Sequence, residues 1–142
     1  MASVFTMIMN GDIPGRFVWQ DDRVVAFLTI APINPGHTLV VPREEIDHWT
    51  DLPDELVAHL MIVTKTIGAA IRDEFEPARV GVIVAGLEVP HAHVHLVPFD
   101  TESELSFSRA NPDVGPSELD TVAERIRTRL VSSGFDQANQ TP

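Results

Sequence analysis

The sequence contains no cysteine. That excludes disulfides, thiolate metal sites and a cysteine nucleophile together, and it fits a reducing compartment. Basic residues are scarce: 10 Lys and Arg stand against 21 Asp and Glu, a formal net charge of −11. There is no basic run or stripe, which argues against nucleic acid as a partner. No apolar run approaches the roughly 20 residues of a membrane helix. The start, MASVFTMIMNGD, lacks the charged and apolar regions of a secretory leader. The expectation is a cytoplasmic protein with neither a nucleic-acid nor a membrane partner.

What is present is one domain's worth of chain, 142 residues with 44% apolar, enough to build its own core. Val4, Phe5, Ile8 and Met9 sit at helical spacing before the turn-rich Asn10–Gly15. Phe17–Gln20 and Val24–Leu28 predict a hairpin, and His37–Val41 a third strand stopped by Pro42. Asp51–Glu76 reads as the main helix, with acids in its first turn and Leu56, Leu60, Val63, Ile67 and Ile71 as its apolar stripe. Val80–Ala85 predicts a strand buried on both faces, and His91–Pro98 a fifth strand. A last helix near 117–132, capped by Ser117, presents Leu119, Val122, Ile126 and Leu130, followed by a disordered tail from Asp136. The fold class is α+β around an antiparallel sheet.

Three of the six histidines fall in His91-Ala92-His93-Val94-His95. Alternate strand residues share a face, so the imidazoles line one side over roughly 13 Å while Ala92, Val94 and Leu96 face the core. Buried histidines would each need a partner, and a solvated face is the other unremarkable reading. As a functional site the triplet allows metal ligation, although there is no cysteine and no Asp follows the triplet until Asp100. It equally allows phosphate chemistry, in which a neutral imidazole attacks phosphorus and its neighbours donate to phosphate oxygens. His48 and His59 read as surface or packing residues, Trp19 as sheet packing, and spacing gives Arg43 and Arg109 no support as phosphate ligands.

His91–Val97 resembles the His-φ-His-φ-His-φ-φ pattern of the histidine-triad (HIT) family, where φ is apolar. Phe5–Pro14 resembles that family's first helix and Gly-Glu-Ile-Pro turn, and Asp21-Asp22 followed by Val25–Phe27 its first hairpin. Pro35–Pro42 resembles its Gly-His-Thr-Leu-Val strand, so the likeness spans residues 4–98. The resemblance implies a five-stranded antiparallel sheet with one long, one short N-terminal and one C-terminal helix. It divides the chain into a HIT-like domain, 1–100, and an extension, 101–142. It implies that His93 attacks the α-phosphorus of a nucleoside phosphoramidate or dinucleoside polyphosphate, forming a covalent nucleotidyl-histidine. His91 would orient His93 through its backbone carbonyl, His95 would contact phosphate, and His37 would bond within the cluster. Phe5, Ile8, Phe27 and Ile30 would hold a purine nucleotide, without a cofactor. It also implies a homodimer joined through the long helix and the fifth-strand edge.

Four departures qualify that pattern. Thr29 stands where an Asp binds ribose in many members, and an Asn before the triad has no counterpart. Leu87 and Glu88 stand where Gln and Ser donate to phosphate. Ser3, Thr6 and Glu45 occupy places of zinc ligands in bacterial relatives, so no metal is expected. A carboxylate at Glu88 repels phosphate, unless it is turned away or protonated as a general acid. The alternative function is a nucleotide-binding protein with little or no turnover.

Overall fold

The alternating pattern of the strands is resolved by two apolar clusters, one on each face of a five-stranded antiparallel sheet. The computed structural model describes residues 2–139. The strands are β1 (Phe17–Gln20), β2 (Val24–Leu28), β3 (Thr38–Pro42), β4 (Arg79–Ile83) and β5 (Val94–Phe99), in the order β1-β2-β3-β5-β4. On one face Val24, Ala26, Leu28, Val40, Val94 and Leu96 form the main core. On the other, Val25, Phe27, Leu39 and Val41 form a smaller cluster with Phe5 and Phe17. A register shift between Phe17 and Trp19 places Val18 and Trp19 together on the main-core side, as an extra bulge residue does.

The helix α2 (Asp54–Phe75) covers the main core, and all five residues of its predicted stripe are buried. A short 3-10 turn, Trp49–Asp51, precedes it, so the helix starts later than the sequence pattern suggested. The C-terminal helix α3 (Pro116–Ser132) is capped at Gly115 with Pro at its first position, not at Ser117; proline fits there because it has no N–H to leave unpaired. Val122, Ala123, Ile126 and Leu130 of α3 join the same core as α2, and Leu119 is buried as well. Glu74 bridges the two helices through Arg125 and Arg129. The short helix α1 (Val4–Met9) lies over the opposite face and contributes Phe5.

Three further expectations are corrected. Val80–Ala85 is not a strand buried on both faces: β4 is an edge strand with an exposed-to-intermediate burial pattern. A continuous apolar run looks the same in either position. The fifth strand, expected to offer an edge for pairing, has no free edge, because β3 and β4 flank β5. Finally, Asp136–Asn139 forms a 3-10 turn with Ala138 1% exposed, because Phe135 folds back against Trp19. The rest of the predicted disordered tail lies outside the described residues. Among the described residues no helix is long and apolar enough to cross a membrane.

Candidate active site

The histidines meet on the α1 face of the sheet, where β3 and β5 run side by side. Gly36 introduces β3 at φ 102°, a conformation that glycine adopts readily and other residues rarely. A Cβ there would meet Phe75 and Pro98 at 3.3 Å. The turn delivers His37 beside His95, with β3 and β5 in antiparallel register. His91 precedes β5 instead of lying in it. Its N–H is bonded to the carbonyl of Val89 and that of Ala92 to the carbonyl of Ile46, and the β3–β5 pairing begins only at Val94. Alternation nevertheless persists: Ala92, Val94 and Leu96 enter the main core, while His93 and His95 stand 4.9 Å apart, ring to ring, on the other side.

The hydrogen bonds determine where each neutral ring carries its proton. His93 Nδ1 lies 2.7 Å from the carbonyl of His91. A carbonyl only accepts, so Nδ1 carries the hydrogen and Nε2 keeps its lone pair. The N–H of Ile33 donates to His37 Nδ1 at 3.0 Å, so the hydrogen of His37 is on Nε2. That hydrogen points at His95 Nδ1, 2.9 Å away, and His95 therefore carries its own on Nε2. The cluster thus offers one lone pair, on His93, and one N–H donor, on His95. Among the described residues no buried side-chain nitrogen or oxygen lacks a partner.

Electrostatics keep the rings neutral. Burial pushes His37 down to about 4. Burial, with the charges that His93 and His37 would carry, pushes His95 to about 3. Burial also holds His93 below the ordinary imidazole value, against opposing pulls from the His91 carbonyl and the Glu88 carboxylate. Glu88 is thus electrostatically coupled to His93, although its side chain is exposed. Leu87 beside it is 92% exposed.

Phe5 meets His93 edge-on at 4.8 Å and Phe27 at 5.6 Å, forming an aromatic wall, and Ile8 packs against the same cluster. Thr29 shares a cavity with His37, of about 160 Å³, and its hydroxyl accepts from the N–H of Ala31. Ile30 is 72% exposed and does not belong to that cluster. Arg43 is tied to the carbonyl of Asp21, and His59 is paired with Asp21. Sequence reasoning missed Phe107, whose ring lies 4.8 Å from that of His95. Its only signal was an isolated aromatic in a polar stretch.

Ser3, Thr6 and Glu45 do assemble, next to His91. Glu45 Oε1 accepts from the Ser3 N–H at 2.6 Å and from the Thr6 hydroxyl at 2.7 Å, and Ser3 Oγ is 2.7 Å from His91 Nδ1. Two neutral hydroxyls, one carboxylate and one imidazole do not fit structural zinc, which takes four Cys, His or carboxylate ligands. Among the described residues no group of three His, Asp or Glu is placed to hold a metal ion.

Comparison with known proteins places this geometry in context. A HIT-domain family model matches residues 10–102. The Bacillus subtilis protein named Hit is 34% identical over 138 residues, 92% of this chain and 95% of that protein. An adenosine 5′-monophosphoramidase of Schizosaccharomyces pombe is 30% identical over 132 residues, 92% of this chain and 99% of that protein. The crystal structure of a zinc-bound histidine triad family protein from Mycobacterium smegmatis aligns with a TM-score of 0.79 at 29% identity, covering 94% of this chain and 96% of that one.

Proposed function

This chain belongs to the HIT-domain family, and from that premise we propose that it hydrolyses or transfers the nucleotidyl group of a nucleoside phosphoramidate or dinucleoside polyphosphate. The observation that carries the reading is the pair of complementary nitrogens, the lone pair of His93 Nε2 beside the N–H of His95 Nε2, fixed by the bonds to His91 and His37. His93 attacks the α-phosphorus, a P–N bond to the ring forms, and the bond to the leaving group breaks. His95 donates to a non-bridging phosphate oxygen, where charge accumulates. Water then attacks phosphorus, the ring leaves with the electron pair of that bond, and a nucleoside monophosphate is released. Phe5, Phe27 and Ile8 support the base, with Ile30 at the rim and Thr29 toward the ribose. A purine nucleotide is the inferred ligand. No cofactor enters the step.

A second reading, nucleotide binding with little turnover, is favoured by Leu87 and Glu88, which supply no ionised-state donor to phosphate. Product analysis with adenosine phosphoramidate and diadenosine polyphosphates, with and without chelator, separates the two. Release of AMP, insensitive to chelator, supports the hydrolase. Tight binding with no product supports the second reading. Chelator-sensitive turnover overturns the His93 mechanism.

We further propose a homodimer formed through α2 and the free edge of β4. The supporting features are the unpaired edge, an exposed Val82, and the groove that β4 shares with Met61, Gly68 and Arg72 of α2. Unpaired strand edges favour association.

A further inference from the structure

We propose that Ser3, Thr6 and Glu45 are positioning residues for the nucleophile, a hydrogen-bonded clasp that fixes His91 and, through the His91 carbonyl, the proton of His93. The inference rests on the reading of His93 as nucleophile and adds residues to its machinery. The clasp joins parts of the chain 42 and 88 positions apart. Its bonds form a directed sequence. His91 Nε2 is 2.7 Å from the carbonyl of Pro42, an obligate acceptor, so Nε2 carries the hydrogen of the neutral ring. Nδ1 is then an acceptor, and the Ser3 hydroxyl donates to it at 2.7 Å. Thr6 Oγ1, at 3.4 Å, is the poorer target for that proton. The Thr6 hydroxyl instead donates to Glu45, and the Thr6 N–H caps onto Ser3 Oγ. Glu45 thus holds Ser3 by its backbone and Thr6 by its side chain, leaving the Ser3 hydroxyl aimed at His91.

The consequence for His93 is geometric. The ring of His91 is fully buried and held at both nitrogens, so its residue has one position. Its carbonyl is the 2.7 Å acceptor of His93 Nδ1–H. If His91 shifts or changes its protonated nitrogen, that carbonyl moves, and nothing then keeps the proton of His93 off Nε2, the atom that must attack. Phe5, two positions after Ser3 and three before Ile8, meets both rings edge-on. Displacement of the cap therefore reaches His93 by packing as well as by hydrogen bonding. Hydrogen bonds from Ser3 and Thr6 keep the Glu45 carboxyl below its usual range, so the clasp is charged near neutrality.

The test reads tautomers and kinetics together. Imidazole ¹⁵N NMR of the wild type should show His91 protonated on Nε2 and His93 on Nδ1 at neutral pH. His91 protonated on Nδ1, singly or doubly, overturns the proposal without any variant. Ser3→Ala and Glu45→Ala should each mix the His93 tautomers and lower kcat about ten- to a hundredfold, the scale of a small misplacement, with KM within about twofold. Ser3→Thr and Glu45→Gln, which keep the hydroxyl and Oε1, should retain most of kcat. Folded Ser3→Ala protein with wild-type His93 tautomer and kcat, and only a lower Tm, overturns the inference. So does a rise in KM at constant kcat. If the wild type turns nothing over, the hydrolase reading fails, and the tautomer measurements still decide this one.

Discussion

The His37 Nε2 hydrogen is aimed at His95 Nδ1 across 2.9 Å, and because Ile33 occupies the other nitrogen of His37, the pair has a single neutral arrangement. Protonating His95 would set two N–H groups against each other. Removing His37 as His37→Ala should leave His95 free to switch tautomer. The expected outcome is a fall in kcat of about tenfold or more. The loss of two buried hydrogen bonds should cost about 1–3 kcal/mol of stability. Steady-state kinetics and urea unfolding check the two parts separately.

His93→Ala should abolish turnover while leaving nucleotide affinity within about tenfold, or 1.4 kcal/mol. The nucleophile bonds phosphorus only during reaction, whereas the aromatic wall holds the base throughout. Calorimetric titration with a non-hydrolysable nucleotide, beside an activity assay, is the measurement. Wild-type turnover by this variant rejects the mechanism.

Glu88 pulls the proton affinity of His93 upward by its charge. Glu88→Gln removes that pull, so the acid limb of the pH–rate profile should move to lower pH, by a fraction of a unit given the exposure of the side chain. If Glu88 is instead the proton donor to the leaving group, the same variant should lose most activity. A limb that stays in place with activity intact would make Glu88 a bystander.

Leu87→Gln with Glu88→Ser would restore two donors near the phosphate. Each hydrogen bond to a charged group contributes about 1.5–3 kcal/mol, so turnover on adenosine substrates should rise by roughly two to four powers of ten if both act in the transition state. No gain in a folded double variant would show that the loop lies outside the phosphate site.

Acid should weaken the fold earlier than carboxylates alone would make it. His37 and His95 have folded values of about 4 and about 3 against 6.5 for a free imidazole. The unfolded chain therefore binds protons below about pH 6.5 that the folded chain refuses, and stability falls as pH drops from there toward 4. The slope is at most about 1.4 kcal/mol per pH unit for each ring. Glu74, held down by Arg125 and Arg129, adds a loss of the same sign only below its unfolded value of 4.5. Urea midpoints at pH 7, 6 and 5 should decline in the wild type and decline less in a His95→Gln variant.

Periodicity made much of this legible. The stripe of α2 and the alternation of His93 and His95 with Val94 and Leu96 are short-range patterns, and each maps directly onto a buried face. The resemblance to the HIT family adds the expectation that His37 bonds within the cluster, and the structure identifies His95 as its partner. The rest depends on distance in sequence. Ser3 stands out in the sequence only as the place of a missing zinc ligand, and nothing near it announces a hydrogen bond to a residue 88 positions away. Val80–Ile83 has the apolar run of an interior strand, but interior and edge differ only in whether a neighbour exists. The tail looked polar enough for disorder because Phe135 and Ala138 gain their burial from Trp19 and α3, which a local window does not include.

That late cover has a consequence during synthesis. Arg127 bonds the carbonyl of Phe17 across 110 positions, and Ala138 closes over the core that Val18 and Trp19 begin. At roughly 5–20 residues per second of translation, the first hairpin waits on the order of 5–20 seconds before the segment that seals its back has been made. A nascent chain halted near Asp113 should therefore bind an apolar dye or a holdase chaperone strongly, and release should coincide with the emergence of α3. Equal dye binding by the halted and full-length chains would show that the hairpin is already sealed by α2.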